Sequence, residues 1–208
     1  MFAFGDVRRF ERNEMEIETI AIVGATGIGR RFAYASVRAG FRTILEDHSP
    51  SMLDQGIDWI KLGLDEEVSG RKIDAGARDV ALANLLTANS VEDASREADL
   101  IIEGVSDEME VKIELFTIFD KFAKPGVIFA STSALLSITE MAEVTFCAER
   151  CIGMRFGAGA SGLKGLELVR GRETSLETVA LCREVGRRMG KEVSVVSETR
   201  VMSERSAD

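Results

Sequence analysis

The stretch from Glu18 to Asp47, ETIAIVGATGIGRRFAYASVRAGFRTILED, constrains this chain more than any other. An apolar run, Ile20-Ala21-Ile22-Val23, ends in a glycine cluster. A small-residue helix is predicted over Arg30 to Arg38, and a second apolar run, Thr43-Ile44-Leu45, stops at Glu46-Asp47. Strand, glycine turn, helix, strand and acid in that order are the parts of a dinucleotide-binding unit. In such a unit the first glycine makes the tight turn, the helix N-terminus faces the pyrophosphate, and the acid takes the ribose hydroxyls. Here the glycines are Gly24, Gly27 and Gly29, and the acid is Asp47. Thr26 stands where G-x-G-x-x-G has its middle glycine. A plain strand-helix turn that binds nothing is the competing reading of the motif alone.

Alternation of strands and helices continues downstream. Pro50 follows Ser49 at the head of a predicted helix, Met52 to Leu64, and a second is expected from about Ile73 to Leu86. Two helices there form an insertion after the second strand, and Trp59, Ile60 and Lys61 are candidates for a substrate-binding appendage, with simple packing of Trp59 as the alternative. Ala98 to Val105 reads as a strand buried on both faces. Glu108 to Phe122 reads as a helix, Val127 to Ala130 as a strand, and Ser137 to Ala142 as a helix capped at Ser137 with Glu140 three residues on. Strands at Cys151 to Met154 and Leu166 to Val169, a helix from Thr174 to Met189 and a strand at Val193 to Val196 complete the series. The expected fold is α/β: a Rossmann-type, doubly wound, mostly parallel sheet in a single domain over residues 17–197. An N-terminal arm, residues 1–16, carries Phe2, Phe4 and Phe10, and a polar tail covers 198–208.

Composition excludes several functions. A net charge of -9 argues against nucleic acid as a partner, because phosphate binding needs clustered Lys and Arg. Nothing reaches the roughly 18 apolar residues of a membrane span, and no signal-peptide pattern opens the chain, so a cytoplasmic protein with no membrane partner is expected. Cys147, Cys151 and Cys182 with a single histidine, His48, make a poor metal set and read as buried, reduced thiols.

The segments Ala98-Asp99-Leu100-Ile101-Ile102-Glu103, Asp107 with Lys112, Glu114-Leu115-Phe116, Phe129-Ala130-Ser131, Leu136-Ser137-Ile138-Thr139-Glu140, Ile152-Gly153-Met154 and Glu167-Leu168-Val169 keep the order and spacing of one pattern. From about Thr19 to Val196 the chain resembles the N-terminal, NAD-binding domain of the 3-hydroxyacyl-CoA dehydrogenases. The resemblance implies NAD as cofactor and, for the family, oxidation of an L-3-hydroxyacyl-CoA to the 3-oxoacyl-CoA. Those enzymes use a Ser, a His held by a Glu, and an Asn. A neutral imidazole takes the hydroxyl proton, a carboxylate orients it, and hydroxyl and amide donors steady the oxyanion.

Carried across residue by residue, the cofactor side is mostly kept: Gly24, Gly29 and Asp47 match, and Asp107 and Lys112 fall at the acidic and basic contact positions. Asp107 stands where Glu is usual, Thr26 is expected to crowd the pyrophosphate, and Ala158 replaces an Asn. The catalytic side is mostly lost: Ala134 stands at the serine position, Arg155 at the histidine and Arg205 at the asparagine, leaving Glu167. Arg155 and Glu167 are expected to form an ion pair, with capture of an anionic ligand by Arg155 as the alternative. The family's cleft is closed by a C-terminal helical domain, which this chain is expected to lack. A homodimer or a separate C-terminal-domain partner would have to supply that wall. Two functions follow from the resemblance: a 3-hydroxyacyl-CoA dehydrogenase with activity much reduced or lost, or a non-catalytic module that binds NAD(H) or acyl-CoA. A short-chain dehydrogenase reading of Gly24-Ala25-Thr26-Gly27 fails for want of a Tyr-x-x-x-Lys pair, since the only tyrosine, Tyr34, has Arg38 four residues on.

Overall fold

The apolar run after Glu18 forms β1 (Thr19–Val23), all five residues buried. The computed structural model describes residues 16–157 and 164–198. After β1 come α1 (Gly27–Arg38), β2 (Arg42–Glu46), α2 (Pro50–Ser69), α3 (Ala75–Ala83), β3 (Leu85–Thr87), α4 (Val91–Glu97) and β4 (Leu100–Glu103). Then follow α5 (Met109–Phe122), β5 (Ile128–Ser131), α6 (Ile138–Ala142), β6 (Cys151–Phe156), β7 (Gly165–Arg170), α7 (Leu176–Arg188) and β8 (Glu192–Ser197). The eight strands form one sheet in the order β3-β2-β1-β4-β5-β6-β7-β8. Every pairing is parallel except β6 with β7, so the last two strands run against the first six.

Period-two alternation sends successive residues of a strand to opposite faces. Ile20 and Ile22 accordingly join Phe32, Ile60, Leu64, Cys182 and Val185 in a core under α1, α2 and α7. Ala21 and Val23 join Phe116, Phe119, Phe129 and Ile138 on the other face, under α4, α5 and α6. A sheet covered on both faces is the expected doubly wound architecture.

Several boundaries differ from the sequence reading. The helix expected from Ile73 to Leu86 ends at Ala83, because Asn84 caps it and Leu85–Thr87 pairs with β2 as an edge strand. The helix α4 was absent from that reading; its start is fixed by Ser90, whose hydroxyl accepts from the Asp93 amide. The insertion helix α2 is longer than its apolar stretch, with Pro50 in its first turn. Its inner face packs on α1 instead of forming an appendage: Ile60 and Leu64 are fully buried, and Trp59 stands edge-on to Tyr34 with centroids 5.8 Å apart. Lys61 is exposed beside Asp58. Glu198, assigned to the polar tail, is tied down: its Oε2 accepts from the Thr139 amide at 3.1 Å and from the Thr139 hydroxyl. The Ser137 cap is as expected, its hydroxyl accepting from the Glu140 amide. Phe2, Phe4, Phe10, Ala158 and Arg205 lie outside the described residues.

Candidate functional site: a glycine-lined crevice and an arginine at its rim

Strand order reverses between β1 and β4, and in open α/β sheets a ligand crevice forms at that point, beyond the C-terminal ends of the strands. Three backbones meet there. Gly24 turns the chain out of β1 with a φ of +101°. A Cβ on Gly29 would lie 1.9 Å from the Gly24 carbonyl oxygen, and one on Gly104 would lie 2.9 Å from the Gly29 Cα. Only glycine permits β1, α1 and β4 to approach so closely. Thr26 is the N-cap of α1, in extended conformation and exposed, and its side chain makes no capping bond. The Gly29 amide donates to the Thr26 carbonyl at 2.9 Å, and the Gly27 and Ile28 amides are left without a side-chain cap, which is how a helix N-terminus receives an anion. The backbone at Thr26 has a negative φ and tolerates a side chain; glycine there serves a ligand's space, not the turn.

Asp47 follows β2 with its side chain 7% exposed. One carboxylate oxygen accepts from the Ala25 amide and the other from the Ser49 amide, each at 2.9 Å. It thus fastens the glycine turn to the tip of β2 while edging the crevice. Glu46, one residue earlier, is buried, and its carboxyl is pushed up to about 7 by desolvation and then by the Asp47 charge. His48 is almost wholly exposed, 3.4 Å from Asp47.

The expected basic contact, Lys112, lies lower than its sequence position suggests. Its ammonium has no exposed surface and sits 2.6 Å from Glu103 Oε1, with Asp107 at 3.6 Å and the Val105 carbonyl at 3.5 Å. Glu103 also accepts from the Val105 amide and, through its other oxygen, from the Ser131 hydroxyl at 2.8 Å. This buried network ties the ends of β4 and β5 to α5. Asp107, 37% exposed, is its outward member. Glu103 escaped the sequence reading as a site residue; the signal was a carboxylate closing an otherwise apolar strand.

The catalytic positions fall together on β5, β6 and β7. Arg155 and Glu167 are cross-strand partners, with Arg155 Nη1 3.8 Å from Glu167 Oε2. Arg155 Nε donates to the Ser133 carbonyl. Burial lowers the Arg155 pKa, the charges of Glu167, Asp107 and Glu198 oppose that shift, and of the three only Glu167 lies within ion-pair distance. Ala134 is exposed, and the two serines that precede it have hydrogen-bond partners. Ser131 donates to Glu103, and Ser133 accepts from the Leu135 and Leu136 amides at 3.2 and 2.8 Å. Among the described residues, His48 is the only imidazole, across the crevice mouth at the β2 tip. No group of three or more His, Cys, Asp or Glu suited to a metal occurs there either. Tyr34 hydrogen-bonds to Glu67, and burial first and Glu67 second push its hydroxyl up to about 12, as a packed side chain of α1.

Residues 19–199 match the family described as 3-hydroxyacyl-CoA dehydrogenase, NAD binding domain. The chain belongs to the 3-hydroxyacyl-CoA dehydrogenase family. It is 30% identical over 185 residues to a probable 3-hydroxybutyryl-CoA dehydrogenase of Bacillus subtilis, covering 88% of this chain and 64% of that protein. It is 31% identical over 179 residues to the 3-hydroxybutyryl-CoA dehydrogenase of Bradyrhizobium diazoefficiens, covering 86% and 61%. The crystal structure of (S)-3-hydroxybutyryl-CoA dehydrogenase from Ralstonia eutropha superposes with a TM-score of 0.82 at 29% identity, over 88% of this chain and 64% of that one. The chain thus spans a little over three fifths of the length of these relatives. As a 3-hydroxyacyl-CoA dehydrogenase NAD-binding domain, it takes NAD as its cofactor. The crevice suits that group: a backbone cradle that a Cβ would fill, open amides at the start of α1, and a carboxylate at the tip of β2.

Proposed function

We propose that this chain holds NAD(H) on a 3-hydroxyacyl-CoA dehydrogenase framework whose ordinary oxidation of 3-hydroxyacyl-CoA is lost or much reduced. The observation that carries this reading is Arg155, a guanidinium bound to Glu167 and the Ser133 carbonyl at the histidine position. Arginine stays protonated near neutral pH and cannot accept the substrate's hydroxyl proton. Losing a general base costs about 10² to 10⁴ in rate, and losing an oxyanion donor about 10² to 10³. Ala134 removes one such donor, and the nearby Ser131 spends its hydroxyl proton on Glu103. NAD would supply hydride acceptance when bound; Gly24, Gly29 and the first turn of α1 would hold its pyrophosphate, and Asp47 its ribose. We extend the proposal to an acyl-CoA as second ligand, since the relatives named above are 3-hydroxybutyryl-CoA dehydrogenases. A second copy or a separate helical partner would wall the cleft. The three free cysteines suit a reducing compartment such as the cytoplasm.

The test is an NADH fluorescence titration followed in the same cuvette by acetoacetyl-CoA, with absorbance of the reduced cofactor monitored. Saturable binding without consumption of NADH is the expected result. Consumption would overturn the loss of catalysis and require another group in the imidazole's role. Absence of binding would overturn the cofactor reading and turn attention to Thr26.

A further inference from the structure

The three cysteines are all free thiols that the crevice does not use, and two of them are in contact. Cys147 and Cys151 flank a single 3-10 turn, Ala148–Arg150, at the foot of β6, the end away from the crevice. The Arg150 amide donates to the Cys147 carbonyl at 2.8 Å and folds the turn tight. The Cys151 thiol is fully buried and lies 3.7 Å from that same carbonyl. Cys147 is only half-buried, so the pair offers solvent one sulfur and withholds the other. Two further groups converge on the turn. The Thr145 hydroxyl stands 3.7 Å from the Cys151 sulfur. Asp120 of α5 accepts from the Cys147 thiol, Sγ to Oδ1 3.8 Å, and from the Phe146 amide at 2.9 Å.

The two thiols are chemically unequal. A hydrogen bond from Cys151 lowers the Cys147 pKa; burial and the Asp120 and Glu149 charges oppose that shift, the Thr145 hydroxyl assists it, and the downward direction wins. The same bond and then burial push the Cys151 thiol up. Cys147 therefore ionises first, while Cys151 keeps its proton and donates it to the neighbouring sulfur. Thiolate is the reactive form of cysteine, and an accessible thiolate touching a second thiol is the arrangement of an oxidisable pair. Cys182, buried on α7 with its thiol pushed up to about 12 by burial, serves as an internal control.

We propose that Cys147 and Cys151 form an oxidation site at which hydrogen peroxide makes an intramolecular disulfide, with Cys147 attacking and Cys151 resolving. The Cys147 sulfur attacks one peroxide oxygen; an S–O bond forms as the O–O bond breaks. The Cys147 proton passes by way of Asp120 to the departing hydroxide, which leaves as water. The Cys151 sulfur then attacks the sulfenic sulfur; an S–S bond forms as the S–O bond breaks, and the released hydroxide takes the Cys151 proton as a second water. Two thiols are oxidised and one peroxide is reduced. In a reducing compartment such a bond is transient, made under oxidant and removed by exchange with small thiols. The site does not depend on whether NAD binds or the family reaction survives.

Peptide mapping supplies the readout, because trypsin cuts after Arg150, between the two cysteines. The full chain is treated with hydrogen peroxide, alkylated under denaturing conditions and digested without reductant. The expected product is a linked pair of peptides carrying Cys147 and Cys151, separated again by dithiothreitol, with Cys182 alkylated. Cys182→Ser should leave that product in place, and Cys147→Ser should slow peroxide consumption about tenfold or more. Cys151→Ser should stop at a sulfenic acid on Cys147, which dimedone traps. All three thiols surviving a dose that consumes glutathione would overturn the proposal. So would a bond to Cys182 or to a second chain, or an unaltered rate in Cys147→Ser. The map of the unmutated chain decides the pairing by itself, so the test stands even where a variant fails to fold. The NADH titration above reports on the crevice at the other end of β6, so failure at one site is distinguishable from failure at the other.

Discussion

Glu46 offers the sharpest test of the electrostatics around the crevice. Its side chain is buried at the last position of β2, beside the Asp47 charge and facing Glu92, with His48 as the only cation acting on it. Desolvation first, and Asp47 second, raise its carboxyl from an ordinary 4.5 to about 7. Between those values the unfolded chain is ionised while the folded chain keeps its proton. Unfolding therefore releases a proton, and stability falls as pH rises through that window, levelling off above about pH 7.5. At 1.36 kcal/mol per pKa unit the full shift would correspond to about 3 kcal/mol, and solvent access at the strand tip brings the expected effect to about 2 kcal/mol. Glu46→Gln removes the titration and keeps the shape. Urea unfolding of both proteins at a series of pH values and constant ionic strength should show nearly equal stability around pH 4.5. The Gln variant should gain steadily from there to neutrality and hold a lead of about 2 kcal/mol at pH 8. A lead that does not change with pH would make it a packing effect. No lead at pH 8 would mean that the carboxylate finds solvent or a cation, and the reasoning would be refuted.

Lys112→Met leaves Glu103 buried without its cation and should cost about 3–5 kcal/mol in denaturant unfolding. Adding Glu103→Gln should recover much of that, and strict additivity of the two changes would argue against coupling. Gly29→Ala places a methyl group 1.9 Å from the Gly24 oxygen, so NADH affinity should drop more than about tenfold in a fluorescence titration, with a lowered melting temperature. Thr26→Gly should tighten NADH binding several-fold; unchanged affinity would show that the threonine does not crowd the pyrophosphate. Arg155→His with Ala134→Ser should bring measurable acetoacetyl-CoA reduction, followed by loss of NADH absorbance, whereas no gain would count against these two losses as the cause of inactivity.

What could be read from the chain itself was whatever depends on neighbours in sequence. The β1 run, the glycine turn and the Ser137 cap obey local rules of alternation, turn chemistry and capping, and each is found in place. The strand β3 was hidden because Leu85, Leu86 and Thr87 follow a helical period without a break, and only their pairing with β2 makes them a strand. Lys112 could be placed at a cofactor position by resemblance, but its burial on α5 depends on Glu103 and Ser131 converging from two strands. The pairing of Arg155 with Glu167 was legible only because the resemblance aligned both; their twelve-residue separation says nothing until β7 turns back along β6. Trp59 was read as a choice between appendage and core, and the structure places it edge-on to Tyr34 at a cavity wall.

The meeting of β1 with β4 has a kinetic meaning as well. Thr19 donates its amide to the Asp99 carboxylate across 80 residues of chain, whereas β1, α1 and β2 are adjacent in sequence. Entropy of closure favours the shorter loop, so the first strand-helix-strand unit should assemble before the seam shuts. The crevice exists only once it has shut. A dinucleotide lying across it would act as a late-arriving clasp, adding about 2.7 kcal/mol of stability at a hundredfold excess over its dissociation constant. Whatever chemistry the chain performs, its lifetime in a cell would then follow the supply of its cofactor.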